Sequence, residues 1–143
     1  MKLFNIGLFG YKCYDNKDMI QEKKKVLLIE DDPQIYKVYE IQLKKEGVLT
    51  VVADDGDEAV ELFKKEKPDL VVLDLMLPKR DGFGVLEYIR KSEKNNNVPI
   101  IVISNLGQKG DKIRAMELGA NLYMIKVDHS IKEIINKIKD FIL

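Results

Sequence analysis

The segment Pro-Asp-Leu-Val-Val-Leu-Asp, residues 68–74, decides the fold. Its four apolar residues, 70–73, follow one another without alternation, as in a strand that is covered on both faces of a parallel sheet. The charged Asp74 ends the run directly. Because ligands of open α/β sheets bind beyond the carboxyl ends of the strands, the segment predicts a central strand and a polar group at the functional edge.

Four further short apolar runs lie on either side of this segment, and stretches of helical periodicity separate them. The runs are Val26–Ile29, Leu49–Ala53, Ile100–Ile103 and Leu122–Ile125. Gly, Pro, Asp or Asn marks each change. Five strands in alternation with five helices predict an α/β fold with a doubly wound parallel sheet, since crossovers between parallel strands are right-handed and place helices on both faces.

Two of the five helices have clear start signals. The first is predicted from Asp32 as N-cap and Pro33 at the first helical position. The last is predicted from a capping box of Ser130 and Glu133, followed by a stripe of isoleucines. That stripe comprises Ile131, Ile134, Ile135, Ile138 and Ile142. Three helices between them are predicted over residues 57–65 and around residues 86–89 and 113–117.

Composition limits the function classes that need to be considered. The 143 residues suit one domain, and 45% apolar with 34% charged residues is a globular balance. Lys plus Arg equals Asp plus Glu at 24 each, so no net charge draws the protein to nucleic acid or to an anionic membrane. One cysteine and one histidine cannot build a zinc site.

The sequence predicts a cytoplasmic protein. The short apolar run near the start is interrupted by Asn5, and no small-residue cleavage site follows it before Tyr11, so it is a poor secretory signal. No run of 18 apolar residues occurs, which excludes a membrane-spanning helix by length. A single cysteine fits a reducing compartment.

Polar residues follow four of the five strands, where the sheet topology would bring them together. They are Glu30, Asp31 and Asp32 after the first strand, Asp74 after the third, Ser104 after the fourth and Lys126 after the fifth. Asp32 is best explained as the helix cap. Converging carboxylates repel one another unless a cation joins them, and hard oxygen ligands suit Mg²⁺. The sequence therefore predicts a magnesium site.

The same edge has the groups that phosphoryl transfer requires. Lys126 supplies a compact positive charge and Ser104 a hydroxyl donor for the oxygens of an incoming phosphoryl group. Asp74 is the natural nucleophile, because a carboxylate can attack phosphorus directly and form an acyl phosphate.

Several stretches of the chain resemble receiver domains of response regulators, in sequence and in spacing. They are Ile29-Glu30-Asp31-Asp32-Pro33, residues 68–78, Asp81-Gly82, Ser104 and residues 119–126. The likeness covers residues 24–143. It implies a flavodoxin-like (βα)5 fold with strand order 2-1-3-4-5, a receiver domain over residues 23–143, and a flexible extension over residues 1–22.

The resemblance implies roles for the acidic residues at the predicted site. Asp31 and Asp74 would bind Mg²⁺ directly together with the carbonyl of Met76, and Glu30 would act through water. Asp74 would be the phosphoacceptor.

It also implies a switch. Ser104 and Lys126 would contact the phosphoryl group, and Tyr123 would be the aromatic residue that rotates when Asp74 is phosphorylated. The rotation would change the face made by the fourth helix, the fifth strand and the last helix. The histidine near the last helix, His129, is interpreted as an exposed loop residue.

These expectations describe a signalling module of a two-component phosphorelay. A sensor histidine kinase or a histidine phosphotransfer protein would donate the phosphoryl group. The message would then pass to a downstream protein target by contact and not by direct nucleic acid binding, because the last helix ends the chain. The protein would not be an enzyme beyond catalysing its own phosphoryl acceptance and slow dephosphorylation.

Three alternatives remain. A pseudo-receiver that is never phosphorylated is motivated by Val127, where receivers usually have proline, and by Asn105, where a smaller residue is common. A phosphatase of the haloacid-dehalogenase type needs a second Asp two residues after the nucleophile, where Met76 stands. Flavin binding would need a Ser/Thr/Gly-rich loop after the first strand, and the acidic residues 30–32 would repel its phosphate.

Overall fold

The computed structural model describes residues 22–143, and these residues form five parallel strands flanked by five α-helices. The strands are β1 Lys25–Ile29, β2 Leu49–Ala53, β3 Leu70–Leu73, β4 Ile100–Ser104 and β5 Leu122–Ile125. The helices are α1 Pro33–Lys45, α2 Gly56–Glu66, α3 Gly82–Lys91, α4 Lys109–Glu117 and α5 Ile131–Ile142. The predicted extension, apart from Glu22, lies outside the described residues.

The strand order is β2-β1-β3-β4-β5, which confirms the predicted flavodoxin-like topology. Three strands have the predicted bounds, and β1 and β4 are each one residue longer. The extra residue of β4 is Ser104, so this side chain is held by the sheet ladder and not by a loop. Since the chain reverses its winding direction between β1 and β3, their carboxyl ends form the crevice where ligands of such sheets bind.

Each face of the sheet has its own hydrophobic core. Strand residues alternate between the two faces, so Leu28 packs with Tyr39 of α1 and Ile138 of α5. On the other face, Leu27 packs with Phe63 of α2 and Leu86 of α3. Both faces of the central strands are covered, which explains why their sequences are apolar without alternation.

The predicted helix starts are confirmed by capping hydrogen bonds. The carboxylate of Asp32 accepts from the N–H of Gln34 at 2.9 Å. At the start of α5, the hydroxyl of Ser130 accepts from the N–H of Glu133 at 3.1 Å. Asp81 caps α3 in the same way and accepts from the N–H of Gly84 at 2.9 Å. These caps fix where each helix leaves the carboxyl edge.

The loop between β3 and α3 is held by two glycines that allow close backbone contact. A Cβ added at Gly82 would lie 2.4 Å from the Cα of Leu75, and one added at Gly56 would lie 1.8 Å from the carbonyl oxygen of Arg80. The N–H of Gly82 also donates to the Leu75 carbonyl at 2.9 Å. The loop that contains Met76 is therefore fixed from both of its ends.

Arg90, near the end of α3, ties two loops together at the opposite edge of the sheet. Its guanidinium donates to the carbonyls of Val98 at 2.6 Å, Asn96 at 2.7 Å and Gly119 at 2.8 and 3.0 Å. It also donates to the side chain of Asn121 at 2.9 Å. These contacts satisfy backbone oxygens in the two segments that lead into β4 and β5.

Across residues 22–143, none of the helices has both the length and the apolar character that crossing a bilayer requires.

Candidate metal and phosphoryl site at the carboxyl edge

The structure brings three predicted carboxylates together where β1 and β3 end. Glu30, Asp31 and Asp74 each offer an oxygen within 4.8 Å of the others. Glu30 and Asp74 are buried, with 3% and 6% of their surfaces exposed, whereas Asp31 is exposed. Such a cluster of oxygen ligands, open to solvent on the Asp31 side, fits a hard divalent cation.

Lys126 bridges the two buried carboxylates. Its Nζ lies 2.8 Å from Asp74 Oδ2 and 3.1 and 3.2 Å from the two carboxylate oxygens of Glu30. Burial lowers the pKa of Lys126, but Asp74 and Glu30 outweigh this effect, and the net shift is upward. The lysine is thus held in its charged form by the carboxylates it contacts.

One ammonium does not balance three carboxylates. Burial, followed by the hydrogen bond and charge of Asp74, raises the pKa of Glu30 to about 7. Burial also raises the pKa of Asp74, but hydrogen bonds with Glu30, Lys126 and the Met76 N–H lower it more, and the net direction is downward. The negative charge therefore concentrates on Asp74, and the site favours a further cation.

The carboxylate of Asp74 is oriented by contacts to both of its oxygens. The buried hydroxyl of Ser104 donates to Oδ1 at 2.9 Å, and the N–H of Met76 donates to the same oxygen at 3.0 Å. Lys126 contacts Oδ2. Since Ser104 and Lys126 come from distant segments and Met76 from the loop that follows Asp74, both the fold and the local loop hold the side chain in position.

Tyr123 lies inward, and the structure connects it to the chain after Ser104. Its ring is buried, and its hydroxyl donates to the carbonyl of Leu106. The N–H of Leu106 in turn donates to the hydroxyl of Ser104 at 3.4 Å. The role of Leu106 could not be predicted from the sequence, because its contacts are made by backbone groups that every residue type has. The predicted rotation of Tyr123 stays a prediction, since the structure shows one position.

The departures Val127 and Asn105 lie on the surface around the site. All described peptide bonds are trans, including Lys126–Val127, where receivers usually have proline. Residues 126–128 form a short 3-10 helix, and 78% of Val127 is exposed. Asn105 is exposed as well. The side chain of His129 is 34% exposed, and its Nδ1 lies 3.0 Å from a carboxylate oxygen of Glu133.

A second acidic group, Asp54, Asp55 and Glu58, has a structural explanation. Asp55 accepts from the N–H of Glu58 at 2.8 Å, and Glu58 accepts from the N–H of Asp54 at 3.1 Å. Asp55 therefore caps α2, and Glu58 reaches back to the residue before the cap, an arrangement close to a capping box. It contrasts with the cluster at Asp74, whose carboxylates are joined by a buried lysine and supply no helix cap.

Comparisons with known proteins agree with this geometry. Residues 26–139 match the family model described as the response regulator receiver domain. A probable transcriptional regulator, ycf27 of Guillardia theta, is 45% identical over 107 residues, which cover 75% of this chain and 41% of that protein. The chain thus spans less than half the length of this curated relative.

Two solved structures are similar over most of the chain. The receiver domain of the Francisella response regulator 1452 is 34% identical, with a TM-score of 0.75 over 83% of this chain and 96% of that one. The receiver domain of sensor histidine kinase PA1611 from Pseudomonas aeruginosa PAO1, which has a magnesium ion coordinated in its active-site cleft, is 28% identical. Its TM-score is 0.74 over 84% of this chain and 98% of that one. The chain belongs to the response regulator receiver domain family of two-component systems.

Proposed function

We propose that this receiver domain accepts a phosphoryl group on Asp74 and that acceptance changes a protein-interaction surface. The observation that carries the proposal is the arrangement around Asp74. Its buried carboxylate keeps its charge, lies in an acidic cluster and is contacted by Ser104 and Lys126, a hydroxyl and an ammonium that suit phosphoryl oxygens.

The metal in this proposal is Mg²⁺. The oxygens of Asp31 and Asp74 would contact it directly with the Met76 carbonyl, and Glu30 would act through a bound water. The fit rests on three clustered carboxylates that face a single ammonium. Burial, followed by the hydrogen bond and charge of Asp74, raises the pKa of Glu30 to about 7. When bound, the ion would neutralise charge that develops on the phosphoryl oxygens.

Acceptance requires the contacts of Asp74 to be exchanged. An oxygen of Asp74 forms a bond to phosphorus as the bond from phosphorus to the imidazole nitrogen of a phosphohistidine donor breaks, and that nitrogen keeps the electron pair. Lys126 must then move its ammonium from Oδ2 to a phosphoryl oxygen. Ser104 must likewise turn its hydroxyl away from Oδ1. Both side chains are already within hydrogen-bond distance of the reacting carboxylate.

The change in the contacts of Ser104 could transmit phosphorylation of Asp74 to the surface of the domain. A shift of Ser104 would disturb the N–H of Leu106, whose carbonyl holds the hydroxyl of Tyr123. The face formed by α4, β5 and α5 would therefore respond to phosphorylation. The donor is a sensor histidine kinase or a phosphotransfer protein, and the recipient of the signal is a downstream protein.

Intact-mass measurement tests acceptance. Incubation with acetyl phosphate or phosphoramidate and Mg²⁺ should add one phosphoryl group, which should be absent in Asp74→Asn and after chelation. Asp81→Asn is the matched control, because Asp81 caps α3 at the same edge without belonging to the cluster. If the mass of the wild-type protein stays unchanged, the proposal is wrong and the domain is a pseudo-receiver, a constitutive interaction module.

A second experiment separates the switch from the chemistry. Beryllofluoride with Mg²⁺ mimics an acyl phosphate, and amide chemical shifts report the response. Shifts at Ser104, Tyr123 and α5 are expected. Binding without shifts in these places would contradict the switch and leave the acceptor role of Asp74 intact.

A further inference from the structure

A groove of about 490 Å³ lies between α1 and the start of β2, away from the carboxyl edge. Its apolar lining includes Ile41 and Leu49, large side chains that are 55% and 45% exposed. Lys23, the second residue of the described part of the chain, also lines it. The groove thus combines exposed apolar surface with the point where the chain enters the domain.

The groove adjoins an open sheet edge. Within residues 22–143, β2 pairs with β1 alone and stands at the end of the strand order. The N–H of Leu49 donates to the carbonyl of Lys24 at 2.9 Å, so the main-chain groups of the next residue, Thr50, point away from β1. The hydroxyl of Thr50 is buried and has no hydrogen-bond partner among residues 22–143. An edge of this kind favours pairing with another segment.

The charge of the groove indicates which kind of segment would bind there. Lys23, Lys37 and Lys44 line it together with Glu40, which leaves an excess of positive charge. Residues 15–21 read Asp-Asn-Lys-Asp-Met-Ile-Gln, with two acidic residues, one lysine and an apolar pair. The acidic residues match the lysines, and the Met-Ile pair matches the apolar lining.

We propose that residues 15–21 of this chain dock in the groove between α1 and β2. Ile20 precedes Lys23 by three residues, a distance that an extended chain spans at about 10 Å. Because the segment and the groove belong to the same chain and are joined by so few residues, the segment's effective concentration at the groove is on the order of millimolar. A contact too weak to form between separate molecules can therefore form within one molecule. The docked segment would cover Leu49 and supply polar partners for Thr50.

Charge-reversing substitutions in the full-length chain, with amide hydrogen exchange as the measurement, test the proposal. The variant D15K/D18K should release the segment, and the amide of Thr50 should then exchange with solvent about tenfold faster than in wild type. The groove variant K37E/K44E should do the same. The combination of all four substitutions should restore slow exchange, because the attraction is rebuilt with reversed signs.

Two further variants address apolar contact and general effects of charge. Ile20→Asp should speed exchange at Thr50 as D15K/D18K does. Lys64→Glu, which changes charge on α2 on the other face of the sheet, should have no effect on that amide. Equal exchange rates at Thr50 in wild type, D15K/D18K and Ile20→Asp would overturn the proposal. Protection that rises with protein concentration would also overturn it, because a second copy of the chain would then be the occupant.

Discussion

Glu30 should make the metal-free domain less stable as pH rises through neutrality. Its pKa is raised from the ordinary 4.5 to about 7 by burial and by Asp74. The folded state therefore binds a proton that the unfolded state has released between these two values. This stabilisation is complete below pH 4.5 and is lost as pH rises through 7.

The magnitude follows from the same two values. Between pH 5.5 and 8.0, the shift of Glu30 lowers the free energy of unfolding by about 2 kcal/mol. The downward shift of Asp74 acts only as pH falls below its ordinary 3.8, and the upward shift of Lys126 acts only as pH rises above its ordinary 10.5. Neither contributes to the slope within this window.

Urea unfolding in chelator at pH 5.5 and 8.0 measures this difference. With a slope of about 2 kcal/mol per molar, the midpoint should fall by about 1 M as pH rises. Glu30→Gln should remove most of the fall. His129→Gln is the control, because His129 lies outside the cluster and contacts Glu133 instead.

Repeating the urea titrations with saturating Mg²⁺ in place of chelator gives an independent test of the role of Glu30. A divalent cation replaces the proton that Glu30 would otherwise take up, so saturating Mg²⁺ should flatten the dependence on pH. A wild-type midpoint that is equal at both pH values in chelator would refute the assigned role of Glu30. A fall that persists unchanged in Glu30→Gln would refute it too.

Three further predictions concern other parts of the domain. Arg90→Met should lower the free energy of unfolding by about 2–4 kcal/mol in urea titrations, because buried carbonyls lose a charged donor; a loss below about 1 kcal/mol would contradict this. Gly82→Ala should destabilise the domain by more than about 1 kcal/mol, because its Cβ meets the Leu75 backbone. Val127→Pro should alter the amplitude or rate of the beryllofluoride response and leave the phosphorylated mass unchanged, since the backbone after Lys126 leads into α5.

The dispensability of the N-terminal extension is a separate expectation. A chain that starts at Glu22 should fold and accept a phosphoryl group, since residues 1–21 supply no strand-end side chain. Circular dichroism and intact mass measure the two properties. Unfolding of this shortened chain would show that the extension belongs to the core.

Most of the fold was predictable, because the strands are short apolar runs with polar ends. The run at 70–73 specified a strand buried on both faces, and Asp32 and Ser130 specified helix starts by cap chemistry. The positions of Asp74 and Lys126 followed from the rule that parallel strands end at one edge, so their proximity could be predicted without a structure.

The contacts within the site were less predictable. Glu30 was expected to act through water, and in the structure it also accepts hydrogen bonds directly from Lys126. The length of a lysine side chain allows many partners, so sequence cannot specify which carboxylates it reaches. The Arg90 contacts were missed for a related reason, since their partners are mainly backbone carbonyls that any residue provides.

The two hydrophobic cores have a consequence for how such a domain can diverge. Leu86 and Ile138 lie on opposite sides of the sheet and share no neighbouring side chain within either cluster. Substitutions at distant sites without shared partners usually have additive energies. Sequence drift in the α1/α5 layer can therefore accumulate without compensating changes in the α2–α4 layer. One layer can adapt its packing while the other is preserved, whereas the face made by α4, β5 and α5 draws on residues of both layers.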